Sequence, residues 1–271
     1  MNIKVKIKRT VALLACAFAG TGQLPILAAD APKTPAAEVS ADRVLRQMAD
    51  RIGTANSFSF NVLRDIESGK AGGDGLHGKT KIAVTIQRPD KMMASATIPG
   101  DTRRICFDGK QLSMTDVQKG FYSTIPMPVP LDELPSKLAS IYGFVPVAAD
   151  FLVSNLYEDL VWRAKSLEYL GAGTIRSGFL GLKSVRCHLV ILRGEVADSE
   201  LWISQKDLLP RRWTSTVKTA SGNEVIQLEL SQWNLNAKTR DEDFVFTPPK
   251  SAVPISMLTE AEMAAERNAR K

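Results

Sequence analysis

From Val185 to Pro249 apolar and polar positions alternate with the period of two that a β-strand requires. Val185, Cys187, Leu189 and Ile191 share one face of the first run, and Ile226, Leu228 and Leu230 share one face of a later run. VRCHLVIL, SELWISQ, DLLPRRWTSTVKT and NEVIQLELSQWNLN read as four strands; DEDFVFTPP follows as a closing segment, an acidic turn ahead of a strand. Gly194, Asp198-Ser199, Lys206-Asp207 and Ser221-Gly222-Asn223 supply the breaks between them. Proline has no N–H to give to a central ladder, so Leu209-Pro210-Arg211 is expected at a turn or at the start of a strand.

Upstream the same alternation recurs. Phe58, Phe60 and Val62 share a face, as do Ile82, Val84 and Ile86, and Met92, Ala94, Ala96 and Ile98. RRICFDG ends at Asp108-Gly109, and QLSMTD pairs with FYSTIPM across Val117 to Gly120. Short strands with tight connections predict an antiparallel meander. The run Gly69 to Gly78 holds five glycines. It lacks the GK[ST] ending and following helix of a phosphate-binding loop, so it reads as a hairpin connection.

The period shifts to three and four in two places. Ser40 is a helix N-cap, followed by Val44, Leu45, Met48 and Ile52 on one stripe up to about Ala55. After Met127-Pro128-Val129-Pro130, Leu131, Leu134, Leu138 and Ile141 form a stripe, and Phe151, Leu152, Leu156, Leu160 and Val161 suggest others. A helical insertion, residues 131–165, therefore interrupts the strands, which resume at Leu167-Glu168-Tyr169-Leu170. Helices laid on one face of an antiparallel sheet make an α+β fold. Residues 41–255 need no division into smaller domains, and residues 256–271 are a polar, Ala-rich tail with the character of a frayed helix.

The N-terminus changes the reading of charge. Lys4, Lys6, Lys8 and Arg9 precede the short apolar run Val11 to Gly20, and Ala28-Ala29 precede Asp30. That order is a secretory signal peptide over residues 1–29, followed by a Pro/Ala-rich flexible linker over 30–40. Leu13-Leu14-Ala15-Cys16 resembles a lipobox, but cutting there leaves an apolar region shorter than the usual stretch of about seven residues or more. The expected compartment is periplasmic, with cleavage near Ala29. No later stretch approaches the ~20 apolar residues of a spanning helix. The whole chain carries 35 basic and 29 acidic residues, net +6. The leader holds four of the basic residues and no acid, leaving a net of +2, so the basic balance gives no case for nucleic acid.

Several pieces together carry a resemblance. Phe107-Asp108-Gly109-Lys110, Cys187-His188, Leu201-Trp202-Ile203, Leu209-Pro210-Arg211, Ser231-Gln232-Trp233 and Phe244-Val245-Phe246-Thr247-Pro248-Pro249 stand in order from about Asp42 to Ile255. In this the chain resembles an uncharacterised family of predicted periplasmic proteins, similar in turn to the LolA/LolB-like lipoprotein-carrier superfamily. The resemblance implies a strongly curved, incomplete β half-barrel with helices covering its open concave face, and a cavity that takes acyl chains or lipoprotein. Family members often show a second histidine after the motif cysteine; Leu189 stands there instead, which weakens any metal or acid–base role for His188.

The side chains offer no catalytic constellation. His77 sits in the Gly-rich loop, and His188 points away from its neighbour Cys187 on the same strand. No CxxC or HExxH spacing suggests a metal, and no cofactor is expected. Cys106 and Cys187 remain after the leader; an oxidising compartment permits a disulfide between them, and two buried free thiols are the competing reading. The cavity candidates are Phe58, Phe60, Met92, Leu134, Leu138, Ile141, Phe151, Leu228 and Leu230, with the four tryptophans (Trp162, Trp202, Trp213, Trp233), Phe121, Met93, Met114 and Met127 as further apolar lining. The expected function is non-catalytic carriage of a lipid, lipoprotein acyl chain or other apolar ligand. An envelope protein-interaction or stress-sensor module is the second reading, and a hydrolase the third.

Overall fold

Alternating patterns give strands because successive side chains leave opposite faces of a pleated backbone. The computed structural model describes residues 39–66, 79–177, 183–219 and 222–269, and builds twelve strands and four helices among them. The first meander is β1 (Ser57–Ile66), β2 (Thr80–Gln87), β3 (Lys91–Ile98), β4 (Asp101–Phe107), β5 (Gln111–Asp116) and β6 (Phe121–Pro126). The second is β7 (Ala164–Ser177), β8 (Lys183–Gly194), β9 (Ala197–Ser204), β10 (Pro210–Thr219) and β11 (Gly222–Asn234), with the two-residue β12 (Val253–Pro254) at the far end. All belong to one curved, unclosed sheet of order β12-β6-β5-β4-β3-β2-β1-β11-β10-β9-β8-β7. Only β12 runs parallel to its neighbour. The seam between the meanders is the β1–β11 ladder, which sets Val62 against Leu230 and Arg64 against Leu228.

Helix α1 (Ala41–Gly53) starts where the sequence predicts. The Ser40 hydroxyl accepts the Arg43 amide at 3.2 Å, satisfying a donor the first turn leaves open. Its stripe of Val44, Leu45, Met48 and Ile52 is buried. Pro210 opens β10, as its missing N–H requires. The first 29 residues, most of the linker and the Gly-rich connection lie outside the described residues.

Three expectations need correction, and the open choice between paired and free cysteines is decided. The insertion is α2 (Leu134–Tyr142), a 3-10 turn (Ala149–Phe151) and α3 (Leu156–Arg163), and strand pairing resumes at Ala164 rather than Leu167. Ala164 already has extended backbone angles and pairs with Gly194. The closing DEDFVFTPP is not a strand: Asp241–Phe244 make a 3-10 turn that buries Phe244, and Pro248 and Pro249 have no N–H to join a ladder. The tail is a formed helix, α4 (Glu260–Ala269). A capping box starts it: the Glu262 carboxylate accepts the Thr259 amide at 2.8 Å, and the Thr259 hydroxyl accepts the Glu262 amide at 3.2 Å. Finally, Cys106 and Cys187 are free thiols. They stand on β4 and β8, with six strands between them in the sheet, far beyond the Cα separation of up to about 7 Å that a disulfide spans.

The outermost strand, β7, is broken by two register shifts, between Ala164 and Ser166 and between Tyr169 and Ala172. Gly171, with φ of 94°, lies in the second. No helix among the described residues is long and apolar enough to cross a membrane.

Candidate concave site

Paired residues of adjacent strands share a face, so the ladders define an inner surface. Phe60 lies opposite Val84, Met92 opposite Ile86 and Phe107, and Trp213 opposite Leu201 and Leu228. Onto this surface fold α1 and the insertion, here the lid. Seven of the nine candidates are buried in the resulting apolar cluster: Phe58, Phe60, Met92, Leu134, Leu138, Phe151 and Leu230. Leu228 is half-buried against it. Ile141 is not part of it. The last turn of α2, from Ala139 to Ile141, is exposed, so the residue that continues the helical stripe stands outside the core at 37% exposure.

Phe151 is the centre of the layer. Its ring meets Phe60 edge-on at 5.4 Å, Trp233 at 5.4 Å and Trp213 at 5.7 Å, while Trp233 stacks on Phe60 at 4.4 Å. These are the favoured offset and T-shaped arrangements of aromatic quadrupoles. Trp233 satisfies its indole N–H on the Pro210 carbonyl at 3.0 Å. The Trp213 indole nitrogen is buried without a partner among the described residues. The other aromatics fall elsewhere. Trp162 is 85% exposed at the end of α3, and Phe121 is exposed on β6. Trp202 lies on the outer face over Gly173, where a Cβ would overlap its ring. Met92 and Met127 are buried, and Met114 is half-buried against the cluster. Met93 is displaced to the outer face, because it is adjacent to Met92 on a strand.

Polar groups hold the lid down. Arg88, at the end of β2, donates to three successive lid carbonyls: Phe151 at 3.2 Å, Leu152 at 2.5 Å and Val153 at 3.2 Å. Burial pushes the Arg88 guanidinium below the ordinary arginine range, with nearby Asp132 opposing. Asp132 accepts both the amide and the hydroxyl of Ser154, at 2.5 and 2.9 Å. Tyr157 on α3 donates to Asp42 on α1, and Arg46 lies 3.8 Å over the Tyr157 ring. Sequence reasoning missed Arg88. It read as part of a turn, and its partners lie 63 to 65 residues further along the chain; no local pattern marks it.

His188 has a partner the sequence did not indicate. Its Nδ1 is 2.8 Å from the Tyr169 hydroxyl, and burial holds its pKa below the ordinary histidine value. Cys187 faces the opposite way; burial pushes its thiol up to about 11, against the smaller effect of Arg211. A protonated thiol on the far side of the strand is no nucleophile for His188. Among the described residues no cluster of three or more His, Cys, Asp or Glu side chains is placed to hold a metal.

The model of a family described as "Predicted periplasmic protein (DUF2092)" matches residues 41–258. No curated protein matches the chain by sequence. Among solved structures, similar chains include the Mycobacterium tuberculosis lipoprotein LppX, 15% identical, covering 73% of this chain and 97% of LppX with a TM-score of 0.45. LprF from Mycobacterium bovis is 13% identical over 79% of this chain and 97% of its own, TM-score 0.44. The LolA superfamily protein NE2245 from Nitrosomonas europaea is 15% identical over 77% and 99%, TM-score 0.35. At these identities and scores no conclusion about ligand or partner follows.

Proposed function

The chain belongs to the DUF2092 family of predicted periplasmic proteins, and from that premise we propose that it is a binding protein that carries an acyl chain of a lipid or lipoprotein on the concave face of its sheet. The observation that carries this reading is the seat of Phe151. A lid side chain occupies an aromatic cage of Phe60, Trp213 and Trp233, held there by backbone contacts to Arg88. The lid is built of two short helices and a 3-10 turn. Helices shorter than about 12 residues are marginal alone, so the lid's place depends on its packing. An acyl chain that displaces the lid side chains replaces one buried apolar surface by another, with little net loss of burial. The Trp213 N–H, a buried donor without a partner among the described residues, would find an acceptor in a ligand ester carbonyl. Prolines 128, 130 and 146 bracket the hinges of such a movement.

The reading is binding rather than catalysis, because His188 is bonded to Tyr169 and the neighbouring thiol points to the other face. Uptake of a fluorescent fatty acid, together with mass spectrometry of a solvent extract of the pure protein, tests it. The probe should bind, and a disulfide engineered from lid to sheet should block it without unfolding the domain. No co-purified lipid and no probe binding would remove the carrier reading. Unchanged uptake in the bridged protein would remove the lid's role.

One observation favours contact with an envelope protein as a second role. Trp162 stands 85% exposed beside a cleft of about 580 Å³ lined by Leu160, Ala164, Leu192 and Val196. Exposed tryptophans are common anchors of protein interfaces. Trp162→Ala should then weaken capture of a specific envelope protein while leaving acyl uptake unchanged.

A further inference from the structure

The face opposite the helices has a cover of its own. Ladder register places Met93, Ser95, Arg104, Cys106 and Thr115 on this outer face, because Met93 pairs with Cys106, Ser95 with Arg104, and Arg104 with Thr115. Over them runs the segment 243–252, which is fixed at both ends. At one end Phe244 is buried, and the Asp243 carboxylate accepts the Arg240 amide at 2.9 Å. At the other, Val253 donates to the Gly120 carbonyl at 2.8 Å and Ile255 to Tyr122 at 2.7 Å. In between, Phe246 packs against Tyr122 with centroids 5.4 Å apart. Pro248 and Pro249 keep the strap extended and remove two donors that would draw it onto the sheet. The strap therefore stands off and leaves a groove of about 780 Å³, within the range of about 300–1,000 Å³ for small-molecule sites.

Apolar side chains dominate its walls: Met93 and Cys106 below, Val245, Phe246 and Pro249 above. Its charges are unequal. Asp243 is paired with Arg240, which it shares with Glu242, and Asp116 is paired with Lys119 at 3.2 Å. Arg104, exposed at the solvent side, has no carboxylate partner among the described residues. An apolar channel with one uncompensated guanidinium at its mouth fits one kind of guest: a single alkyl chain ending in an anionic oxygen group. Arginine binds such groups through paired N–H donors, and the chain removes apolar wall from water.

We propose that this outer groove is a second binding site, distinct from the concave face, for a single-chain anionic amphiphile, with Arg104 holding the head group and the strap closing over the chain. The site does not depend on the carrier reading, since it shares no residue with the lid or the aromatic cage.

Cys106 reports on the groove directly, and the buried Cys187 serves as the slow reference thiol. Its thiol is pushed up by burial, so alkylation with a maleimide is followed at mildly alkaline pH by peptide mass spectrometry. Three twelve-carbon probes below their micelle concentrations separate the possibilities: dodecanoate, dodecyl phosphate and dodecanol. Either anion should slow Cys106 alkylation in a saturable way, and dodecanol should not; which anion protects better identifies the head group. Arg104→Gln should weaken that protection at least about tenfold, the scale of one lost charge-assisted hydrogen bond. A photoreactive dodecanoate should crosslink to peptides containing Met93 or the strap, which guards against a variant that misfolds. Protection must persist when the lid is bridged to the sheet, whereas loss there would place the chain on the concave face and overturn the proposal. No protection by either anion, or equal protection by dodecanol, overturns it as well. Failure of fluorescent acyl uptake on the concave face would leave the outer groove intact.

Discussion

The two faces of the sheet are built from the same strands yet end in different states. On the inner face, Met92, Phe107 and Phe60 are buried, Phe60 against the lid's Phe151. On the outer face, Met93 and Cys106 sit one residue away and line an open groove beneath the strap. Strand alternation alone cannot produce this difference, since both parities carry apolar residues there. The covers produce it. The lid presents Leu131, Leu134 and Leu138 at helical spacing, which packs several side chains into each turn. The strap is extended and proline-stiffened, anchored by Phe244 and β12, and contributes few side chains in between. Density of cover, rather than the strand surface, decides which face is core and which is a groove.

The sharpest way to break this comparison is to truncate the two anchoring phenylalanines. Phe151→Ala should lower the unfolding free energy by about 3–5 kcal/mol, as for other buried Phe→Ala changes, read from the urea midpoint. Phe244→Ala should instead release the strap, seen as faster hydrogen exchange over residues 245–255, with a smaller fall in the global midpoint. Equal global losses would mean that the strap belongs to the same cooperative core as the lid.

Arg88→Met comes next in size. Three lid carbonyls lose their donor while the aliphatic bulk is kept, and about 1–3 kcal/mol of stability should go with them. Acyl probe uptake should become faster if opening of the lid limits it.

A smaller effect is expected from His188. Its folded pKa lies below the unfolded value, so the folded state binds a proton less readily. The contribution is therefore intact above the unfolded value of about 6.5 and is lost as pH falls below it. Urea midpoints at pH 7.5 and 5.5 should differ more for the native protein than for His188→Gln; an identical difference would remove His188 from the account. The smallest effect belongs to Arg104→Gln, which should stay within about 0.5 kcal/mol of the parent protein, since the exposed guanidinium has no carboxylate partner among the described residues.

Much of the scaffold was legible in the sequence because its signals are local. Ser40 marked a helix start through the chemistry of one hydroxyl, and Pro210 marked a strand start through one missing donor. Phe58, Phe60 and Val62 declared an inner face by alternation alone. Ile141 was misplaced because periodicity names a stripe but not where the core beneath it ends. Trp162 was misplaced because a large apolar side chain is usually buried, and this one lies off the buried stripe of Leu156 and Leu160 on α3. The choice between paired and free cysteines stayed open in the sequence, because two thiols in strand-like runs give no hint of the six strands between them. Arg88 and the outer groove depend on residues brought together from distant parts of the chain, and the Tyr169–His188 contact, 19 residues apart, depends on the shifted register of the β7–β8 hairpin.

An unclosed sheet must also end somewhere, and the long end here is β7, fourteen residues of backbone with one side unpaired among the described residues. A straight edge of that length is a template on which a second copy can add, the first step towards fibres. The two register slips and the left-handed Gly171 break the row of donors and acceptors into short pieces that no straight strand can match. Lys165, Glu168 and Arg176, all exposed along the same strand, add charge to that interrupted edge. An irregular, charged β7 is therefore a poorer template for a second copy than a straight edge of the same length.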